Sequence, residues 1–153
     1  MRRRDRAEAR RPRLGGQELL RQPGEPGDPG GAGLGGVLEP ESAAPVVVED
    51  DAFIGSRSIV VEGARVRRGA KLGAGAILTA STRVFDRATG EELPRGELPA
   101  WSVSVGSSRL QRSAGGDFAM PCILVLRRLQ EGESLDKVAL NELVREYDLA
   151  AGA

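Results

Sequence analysis

The sequence predicts a mainly β protein: a parallel β-helix of hexapeptide repeats, followed by a C-terminal strand and an amphipathic helix. An aliphatic residue recurs every six positions, at Val48, Ile54, Val60, Val66, Leu72, Leu78 and Val84. A small residue stands four positions after each of the first six, at Ala52, Ser58, Ala64, Ala70, Ala76 and Thr82. Neither an amphipathic helix nor a two-faced sheet has a period of six. The period is typical of a three-sided prism in which each unit forms one side.

The size of the repeat array indicates that it needs neighbours. Residues 48–83 supply two coils of three hexapeptides each, because three sides make one coil. Coils stack at about 4.8 Å, and arrays of fewer than about three units are rarely stable alone. Both ends of such a stack expose unpaired backbone groups. We therefore expect caps or other subunits to cover the ends.

The composition excludes several kinds of chemistry. The chain of 153 residues is short enough for one domain and contains no histidine. The lack of histidine excludes Ser-His and Cys-His pairs, imidazole zinc ligands and imidazole bases, and we expect no metal. Cys122 is the single cysteine, so no internal disulfide can form. Because no long apolar run or signal sequence is present, we predict a cytoplasmic protein without a membrane partner.

The N-terminal segment 1–32 is rich in Arg, Pro and Gly and contains few apolar residues. It cannot bury enough surface to offset the entropy of ordering, so we predict a disordered tail. Its arginines can attract nucleic acid electrostatically, but no aromatic residue lies among them to stack on bases. We therefore expect a solvated tail and no nucleic-acid partner.

The remaining chain divides into two parts, 33–106 and 107–153. The first is the β-helix, with an excursion loop at 85–100 that is marked by Gly and Pro residues. The second begins with a loop at 107–121, continues with a short buried strand at 122–126, and ends in a helix at 135–148. Ser134 is a good N-cap for that helix, whose apolar face we expect to plug or flank the prism.

Several stretches of residues 33–149 are similar to one enzyme family. They are GGVLEP (35–40), VEDDAFIGSRSIVVEG (48–63), STRVFDRATGE (81–91), LPAWSVSVG (98–106), PCILVLRR (121–128) and LNELVREYD (140–148). Hexapeptide anchors alone indicate only a superfamily, whereas GGVLEP and STRVFDRATGE are much more specific. Together they resemble the C-terminal portion of tetrahydrodipicolinate (2,3,4,5-tetrahydropyridine-2,6-dicarboxylate) N-succinyltransferase.

The resemblance implies a left-handed β-helix that assembles as a homotrimer with active sites between subunits. It also implies transfer of a succinyl group from succinyl-CoA to the amine of tetrahydrodipicolinate, in its open 2-amino-6-oxopimelate form, during lysine (diaminopimelate) biosynthesis. Members of this family are longer, with a helical N-terminal domain and earlier coils that residues 1–32 do not resemble. We therefore expect a truncated copy or a misplaced start site.

The resemblance also implies candidate substrate-binding and catalytic residues. The family's catalytic Asp lies in an earlier coil, and Ile59 stands where many members carry the catalytic Glu. Glu62 is the nearest carboxylate, either a catalytic base for the incoming ammonium or a solvated turn residue. Arg57 either pairs with a substrate carboxylate or bridges coils, and Ser58 can donate a hydrogen bond. Glu39 either borders the substrate cleft or shapes its loop.

The coenzyme requires a narrow channel for its pantetheine arm and cations for its phosphates. Small side chains that suit the channel occur at Gly73, Ala74, Ala80 and Ser81, although the prism itself demands small residues there. The candidate cations for the phosphates lie in the C-terminal region, at Arg127, Arg128 and Lys137. The alternative is that these residues are only the solvated end of a strand.

Two alternative functions stay open. One is a non-catalytic, truncated β-solenoid fragment that trimerises or caps without chemistry and has no affinity for CoA. The other is a hexapeptide acyltransferase with another acceptor, such as a nucleotide sugar. GGVLEP and the long loop after the coils argue against the second.

Overall fold

The computed structural model describes residues 44–61 and 63–135, together with the strand backbone at 13–14, 17–18 and 33–35. It also describes helical residues at 139–140, 142–143 and 145–146. The chain folds as a left-handed parallel β-helix whose C-terminal end is closed by antiparallel strands. The predicted tail 1–32 lies outside the described residues except for its two short strands.

The strands are short along the prism and long at its C-terminal end. They are β1 (Arg13–Leu14), β2 (Gln17–Glu18), β3 (Gly33–Gly35), β4 (Val47–Val48), β5 (Phe53–Ile54), β6 (Ile59–Val61), β7 (Arg65–Val66), β8 (Lys71–Leu72), β9 (Ile77–Leu78), β10 (Val84–Asp86), β11 (Glu92–Leu93), β12 (Glu97–Leu98), β13 (Ser102–Ser113) and β14 (Gly116–Arg128). Three parallel ladders form the sides of the prism. Sheet A contains β5, β8 and β13, sheet B contains β3, β6 and β9, and sheet C contains β4, β7 and β12.

The strand register confirms the predicted coil length. Val47 pairs with Arg65 in sheet C, and Phe53 pairs with Lys71 in sheet A. Both pairings join positions that are three hexapeptides apart, and sheet B repeats the same offset between β6 and β9. Residues one hexapeptide apart therefore occupy successive sides of the prism, and residues three hexapeptides apart stack directly.

The interior of the prism is lined as the period predicts. Six of the predicted anchors have no exposed surface: Ile54, Val60, Val66, Leu72, Leu78 and Val84. Ala52, Ala64, Ala70 and Ala76 are buried beside them at the corners. Burying a Val, Leu or Ile side chain contributes about 1.5–3 kcal/mol. The stacked aliphatic side chains are therefore the main source of stability.

The chain turns at six of the prism corners through a residue in the left-handed region, whereas the turn at 79–82 contains none. Such residues stand three positions after successive anchors, at Asp51, Arg57, Gly63, Gly69, Gly75 and Trp101. Glycine adopts a positive φ at no steric cost, which accounts for Gly63, Gly69 and Gly75. Arg57 and Asp51 adopt φ values of 59° and 61° without that freedom. Stacking against the glycine corners of the next coil holds them there.

The seventh anchor is not where the period predicts it. Leu98 of β12, not Val84, stacks on Val66. Val84 lies in β10, where it pairs with Ile123 of β14, and it remains fully buried in the same core. The excursion therefore leaves the prism before Val84. The chain returns at Glu97, inside the segment predicted to be loop.

The segment predicted as a second loop, 107–121, is part of a long β-hairpin. β13 and β14 pair from Ser102 opposite Arg128 to Ser113 opposite Gly116. Residues 106–121 are exposed to solvent, and we call this part of the hairpin the arm. The predicted buried strand at 122–126 is the root of β14. Pairing along the whole ladder, which the polar sequence of the arm did not indicate, keeps these residues extended.

Two buried clusters close the molecule. Ile123 and Val125 of β14 join the prism core at its C-terminal end. On the outside of sheet A, Leu140 and Leu143 of the C-terminal helix belong to a second cluster with Val103. The described part of the helix therefore flanks the prism rather than plugging it. None of the described helical residues belongs to a segment long and apolar enough to cross a membrane.

Ser104 generates a prediction about stability. It pairs with Leu72 and so takes an anchor position in the third coil, where its buried Oγ has no partner among the described residues. An unsatisfied buried hydroxyl costs about 1–3 kcal/mol. We expect Ser104→Ala to raise the free energy of unfolding by about 1 kcal/mol, measured by denaturant titration. The control is Ser102→Ala, which removes the 2.6 Å hydrogen bond that the Ser102 hydroxyl donates to the carbonyl of Pro99. This variant should lower the free energy of unfolding. Equal destabilisation by both changes contradicts the prediction.

The excursion generates a second prediction, about pH. Glu92 forms a bidentate pair with Arg83, at 2.7 Å and 3.1 Å, which lowers the pKa of Glu92 from 4.5 to about 2. Since the unfolded chain takes up this proton first, the stability from the pair is present above pH 4.5 and is lost as pH falls towards 2. Glu92→Gln should be less stable at pH 7 and show a shallower loss across that window. Glu91→Gln, beside it, is the control; matching acid-unfolding curves for the two variants would refute the pair's role.

Candidate functional site

The predicted site residues fall on different corners of the prism. The A–B corner, between sheets A and B, contains residues 55–58 in the first coil and 73–76 in the second. The B–C corner contains residues 79–82, and the C–A corner contains residues 49–52, 67–70 and 99–102. Glu39, Glu62 and Lys137 lie outside the described residues, so the structure gives no position for these three predictions.

The A–B corner brings together Arg57, Ser58, Gly73 and Ala74. Ser58 Oγ donates to the carbonyl of Gly73 at 3.0 Å and accepts from the amide of Ala76 at 3.3 Å. The residue has no exposed surface. Its hydroxyl is therefore occupied in joining two coils and is closed to a ligand in this chain, contrary to the predicted substrate-binding role.

Arg57 is the exposed cation of the same corner. Its side chain makes no hydrogen bond or ion pair to the residues that the structure describes. Beside it, Ala74 and Gly75 are exposed, and a Cβ placed on Gly75 would meet nothing within 4 Å. Gly73, in contrast, is buried beneath Val105. The corner therefore offers one guanidinium next to open, small-residue backbone, which suits an anionic group attached to a flexible chain.

No acidic residue is present among residues 55–58 and 73–76 of this corner. Ile59, at the position where the resemblance implies a catalytic Glu, lies on the outer face of sheet B, 43% exposed, and stacks on Ile77. The described part of the corner therefore presents a cation, Arg57, but no carboxylate that could act as a base.

Ala80 and Ser81 lie at the B–C corner, one full side of the prism away from Ala74. Both are exposed, and Ser81 Oγ lies 3.1 Å from Thr79 Oγ1. A Cβ on Gly96 would lie 2.6 Å from the Cα of Ala80, so the backbone of the excursion, just before β12, packs directly against this corner. Within one protomer, these residues cannot line a channel together with Gly73 and Ala74.

Arg127 and Arg128 lie at the exit of β14, near the C–A corner, where they pair with Val103 and Ser102 of β13. Arg127 Nη2 is 3.1 Å from a carboxylate oxygen of Glu133, and Arg128 Nε is 3.6 Å from one of Asp86. These ion pairs partly neutralise the two cations that the sequence assigned to CoA phosphates. Both guanidiniums remain about half exposed, so each keeps free N–H groups.

The sequence analysis missed an ionic ladder along the prism. Arg67 contacts Glu49 at 2.9 Å in the first coil and Glu97 at 2.8 Å in the third. Hydrogen bonds from the Arg67 side chain and the Arg68 amide lower the pKa of Glu49. Glu49 and Arg67 are three hexapeptides apart, and this separation is the signal that predicts their contact. Glu97 carries no such signal because the excursion intervenes.

A second missed group lies on the outer face of the hairpin root. The guanidiniums of Arg83 and Arg109 stand 5.0 Å and 4.4 Å from the centre of the Phe85 ring. Cys122 is buried nearby, and this burial raises the pKa of its thiol. The thiol therefore stays protonated at neutral pH, which argues against a nucleophilic role. Among the described residues, no three His, Cys, Asp or Glu side chains are grouped as metal ligands.

Comparison with known proteins first defines the class. The family model described as "Hexapeptide repeat of succinyl-transferase" matches residues 45–80. These residues are the two regular coils, from β4 to β9. The match and the observed prism place the chain among the hexapeptide-repeat proteins.

Individual relatives define the family more closely. The chain is 46% identical over 116 residues to 2,3,4,5-tetrahydropyridine-2,6-dicarboxylate N-succinyltransferase of Gluconobacter oxydans, and 47% identical over 119 residues to that of Afipia carboxidovorans. The chain is also 46% identical over 116 residues to the protein of the same name from Ruegeria pomeroyi. Each match covers 76% of this chain but 40–42% of the relative, so the chain spans about two fifths of their length. The resemblance predicted from the sequence is confirmed: over this portion the chain is a relative of the tetrahydrodipicolinate N-succinyltransferases.

The A–B corner generates a prediction that separates a structural from a ligand-binding role for Ser58. Ser58→Ala leaves the Gly73 carbonyl and the Ala76 amide without their buried partner, so we expect a loss of about 1–3 kcal/mol in the free energy of unfolding. Ser56→Ala, two residues earlier, is the control and should change stability by less than about 0.5 kcal/mol. A Ser58→Ala protein of unchanged stability that loses CoA or acceptor affinity would restore the binding role.

Proposed function

We propose that this chain is an acyltransferase that moves a succinyl group from succinyl-CoA to the amine of tetrahydrodipicolinate, acting in cytoplasmic lysine (diaminopimelate) biosynthesis. The observation that carries the proposal is the name shared by relatives about 46% identical over 76% of the chain. The prism supports it, because the matched family model describes the repeat of succinyltransferases.

The reaction needs a free amine and a good leaving group. The acceptor ammonium loses a proton, its nitrogen attacks the thioester carbonyl, a C–N bond forms, and the C–S bond breaks to release CoA as a thiol after it takes up a proton. With no histidine in the chain, the proton acceptor is a carboxylate or water. We assign this role to Glu62, because Ile59 cannot accept a proton.

Arg57 is the proposed binding group for the acceptor. A guanidinium forms two parallel hydrogen bonds with a carboxylate, and the acceptor carries two carboxylates. Arg57 is exposed at a corner where the neighbouring coil presents Ala74 and Gly75. The pantetheine arm lies along this open backbone, and Arg127 and Arg128 take the CoA phosphates.

We further propose that the active unit is a homotrimer. Small residues on two corners and cations near the third are all needed by one coenzyme, yet a single prism holds them apart. Side chains from different corners can converge only where two copies meet. Two regular coils are also fewer than the number of repeats that is usually stable alone. The proposed trimer has no nucleic-acid or membrane partner.

A non-catalytic β-solenoid is the second candidate function. One observation favours it: Ile59 is exposed at the position where the resemblance implies a catalytic Glu. Such a protein would keep the fold and the self-association, but it would neither bind CoA nor release its thiol.

The test measures thiol release from succinyl-CoA by the full chain, with and without the acceptor. We expect release that depends on the acceptor. Arg57→Ala should raise the KM for the acceptor by about tenfold or more with a smaller effect on kcat, since a charged hydrogen bond contributes about 1.5–3 kcal/mol. Arg65→Ala, an exposed arginine on sheet C, is the matched control.

Calorimetry with CoA and an acceptor screen complete the design. Neither CoA binding nor thiol release from the full chain would establish the β-solenoid instead. Release with an amino sugar nucleotide but not with tetrahydrodipicolinate would keep the acyltransferase class and reject the proposed acceptor.

A further inference from the structure

Two large exposed apolar side chains lie on one side of the arm. Phe118 and Met120 are 55% and 44% exposed. Ile123, further along β14, points into the prism core, and side chains alternate along a strand, so Met120 and Phe118 point away from the core. Arg109 is opposite Met120, and Gln111 is opposite Phe118. Because residues opposite each other point to the same side, we call these four residues the outer face of the arm.

The root of the outer face carries an arginine that is held against an aromatic ring. The Arg109 guanidinium stands 4.4 Å from the centre of the Phe85 ring, and the Arg83 guanidinium stands 5.0 Å from it. Phe85 itself is only 5% exposed. A planar guanidinium is attracted to the face of an aromatic ring, and this stacking restricts its orientation. Arg109 is therefore ordered before any partner binds, which lowers the entropy cost of binding through it.

The surface around Arg109 carries an excess of positive charge. Glu92 contacts both Arg83, at 2.7 Å, and Arg95, at 3.2 Å. Arg109 forms no ion pair with the carboxylates that the structure describes. Three guanidiniums therefore share one carboxylate, in a chain whose formal net charge is zero. A guanidinium with free N–H groups binds a carboxylate through two parallel hydrogen bonds. The root of the outer face therefore favours an acidic group.

The composition and shape of the outer face indicate a protein partner. The cores of protein interfaces are enriched in Arg, Met and aromatic residues and depleted in Lys, Glu and Asp. The outer face follows this pattern, since it consists of Arg, Met, Phe and Gln and contains no acidic residue. Small-molecule sites are concave, whereas this face belongs to an exposed two-stranded ribbon. We therefore expect another protein surface, and not a small ligand, to cover it.

The edge of the arm is less suited to binding than its face. The amide of Ile123 donates to the carbonyl of Arg83 at 2.9 Å, and backbone amides alternate in direction along a strand. Position 121 therefore faces the free edge of β14, where Pro121 has no N–H to donate. Strand addition needs a row of edge donors and acceptors, so this edge is a poor template for it. The ribbon is about 10 Å wide, which matches the diameter of a helix.

We propose that the outer face of the arm binds an acidic amphipathic helix of a partner protein, with a carboxylate on Arg109 and an apolar stripe on Met120 and Phe118. Successive outward rows of the ribbon are about 6.8 Å apart. The apolar residues of a helix stripe recur every three or four positions, about 4.5–6 Å along its axis. Successive residues of the stripe can therefore contact successive rows. This inference goes beyond the proposed acyl transfer and does not depend on it.

Charge and burial argue against an occupant from this chain. The outer face of a second arm would bring Arg109 against Arg109, and such a meeting of like charges is unfavourable. The described helical residues of the chain do not offer a free apolar stripe either, because Leu140 and Leu143 are already buried on the outside of sheet A. The acidic helix is therefore expected from another protein.

The experiment measures the binding of two fluorescein-labelled helical peptides to the full chain by anisotropy. Both are Ala-rich with a Leu stripe and have about 18 residues, since shorter isolated helices are marginal in water. One carries Glu beside the stripe and the other carries Gln at the same positions. The Glu peptide should bind about tenfold more tightly, because its carboxylate meets a guanidinium. Arg109→Gln should abolish this difference, whereas Phe118→Ser should weaken both peptides equally.

Two variants on the opposite face of the arm are the matched controls. Arg112→Gln, further along β13 than Arg109, should keep the tenfold preference for the Glu peptide. Leu110→Ser should keep the affinity that Phe118→Ser loses. Equal affinities of the unmodified protein for the two peptides, or no binding of either, overturn the proposal. So does an Arg112→Gln protein that behaves like Arg109→Gln.

Two further measurements separate this surface from the other functions of the chain. Arg109→Gln should leave both the sedimentation mass and thiol release from succinyl-CoA unchanged. A lower mass would assign the outer face to a contact between copies, and a loss of thiol release with peptide binding intact would assign Arg109 to the enzymatic site. Either result overturns the proposal. An unmodified protein that prefers the Glu peptide but releases no thiol refutes the proposed activity and leaves this binding surface in place.

Discussion

The close stacking of coils at the corners is the constraint on which the rest of the structure depends. A Cβ on Gly55 would lie 2.5 Å from the backbone nitrogen of Ala74 in the next coil. At that separation only the hydrogen of a glycine fits between the two coils, and at Ser58 the two coils are joined instead by hydrogen bonds of 3.0 Å and 3.3 Å through its Oγ. The backbone ladders, the burial of the anchors and the fixed offset of three hexapeptides between paired strands all follow from this approach.

The same constraint leaves the interior of the prism without room for chemistry. Its described inward positions hold aliphatic side chains and tiny residues, with Ser104 as the exception in the third coil. Any reacting group must therefore point outward or stand where two prisms meet. The three corners differ accordingly: the C–A corner is tied by the ladder of Glu49, Arg67 and Glu97, whereas the A–B corner leaves Arg57 open.

The period of six was sufficient to predict the coils but not their exit. Val84 and Leu98 are both aliphatic, and both end buried in the same core. Only the pairing of Val84 with Ile123, far along the chain, decides which of them stacks on Val66. The arm was missed for a related reason, since its strands are specified by each other and not by an alternation of apolar and polar residues. Contacts between distant segments are the part that a local pattern does not contain.

The candidate site was less predictable than the fold because the candidate residues are distributed over different corners of the prism. A sequence motif identifies Arg57 and Arg127 individually, but their separation follows from the three-sided cross-section. Ile59 bears on both the prediction of the fold and the prediction of the candidate site. At a position where the resemblance implies a carboxylate, this chain places a hydrocarbon that stacks on Ile77 and faces outward. A hydrocarbon cannot accept a proton, so the base in the proposed reaction has to be a different group from the one at this position.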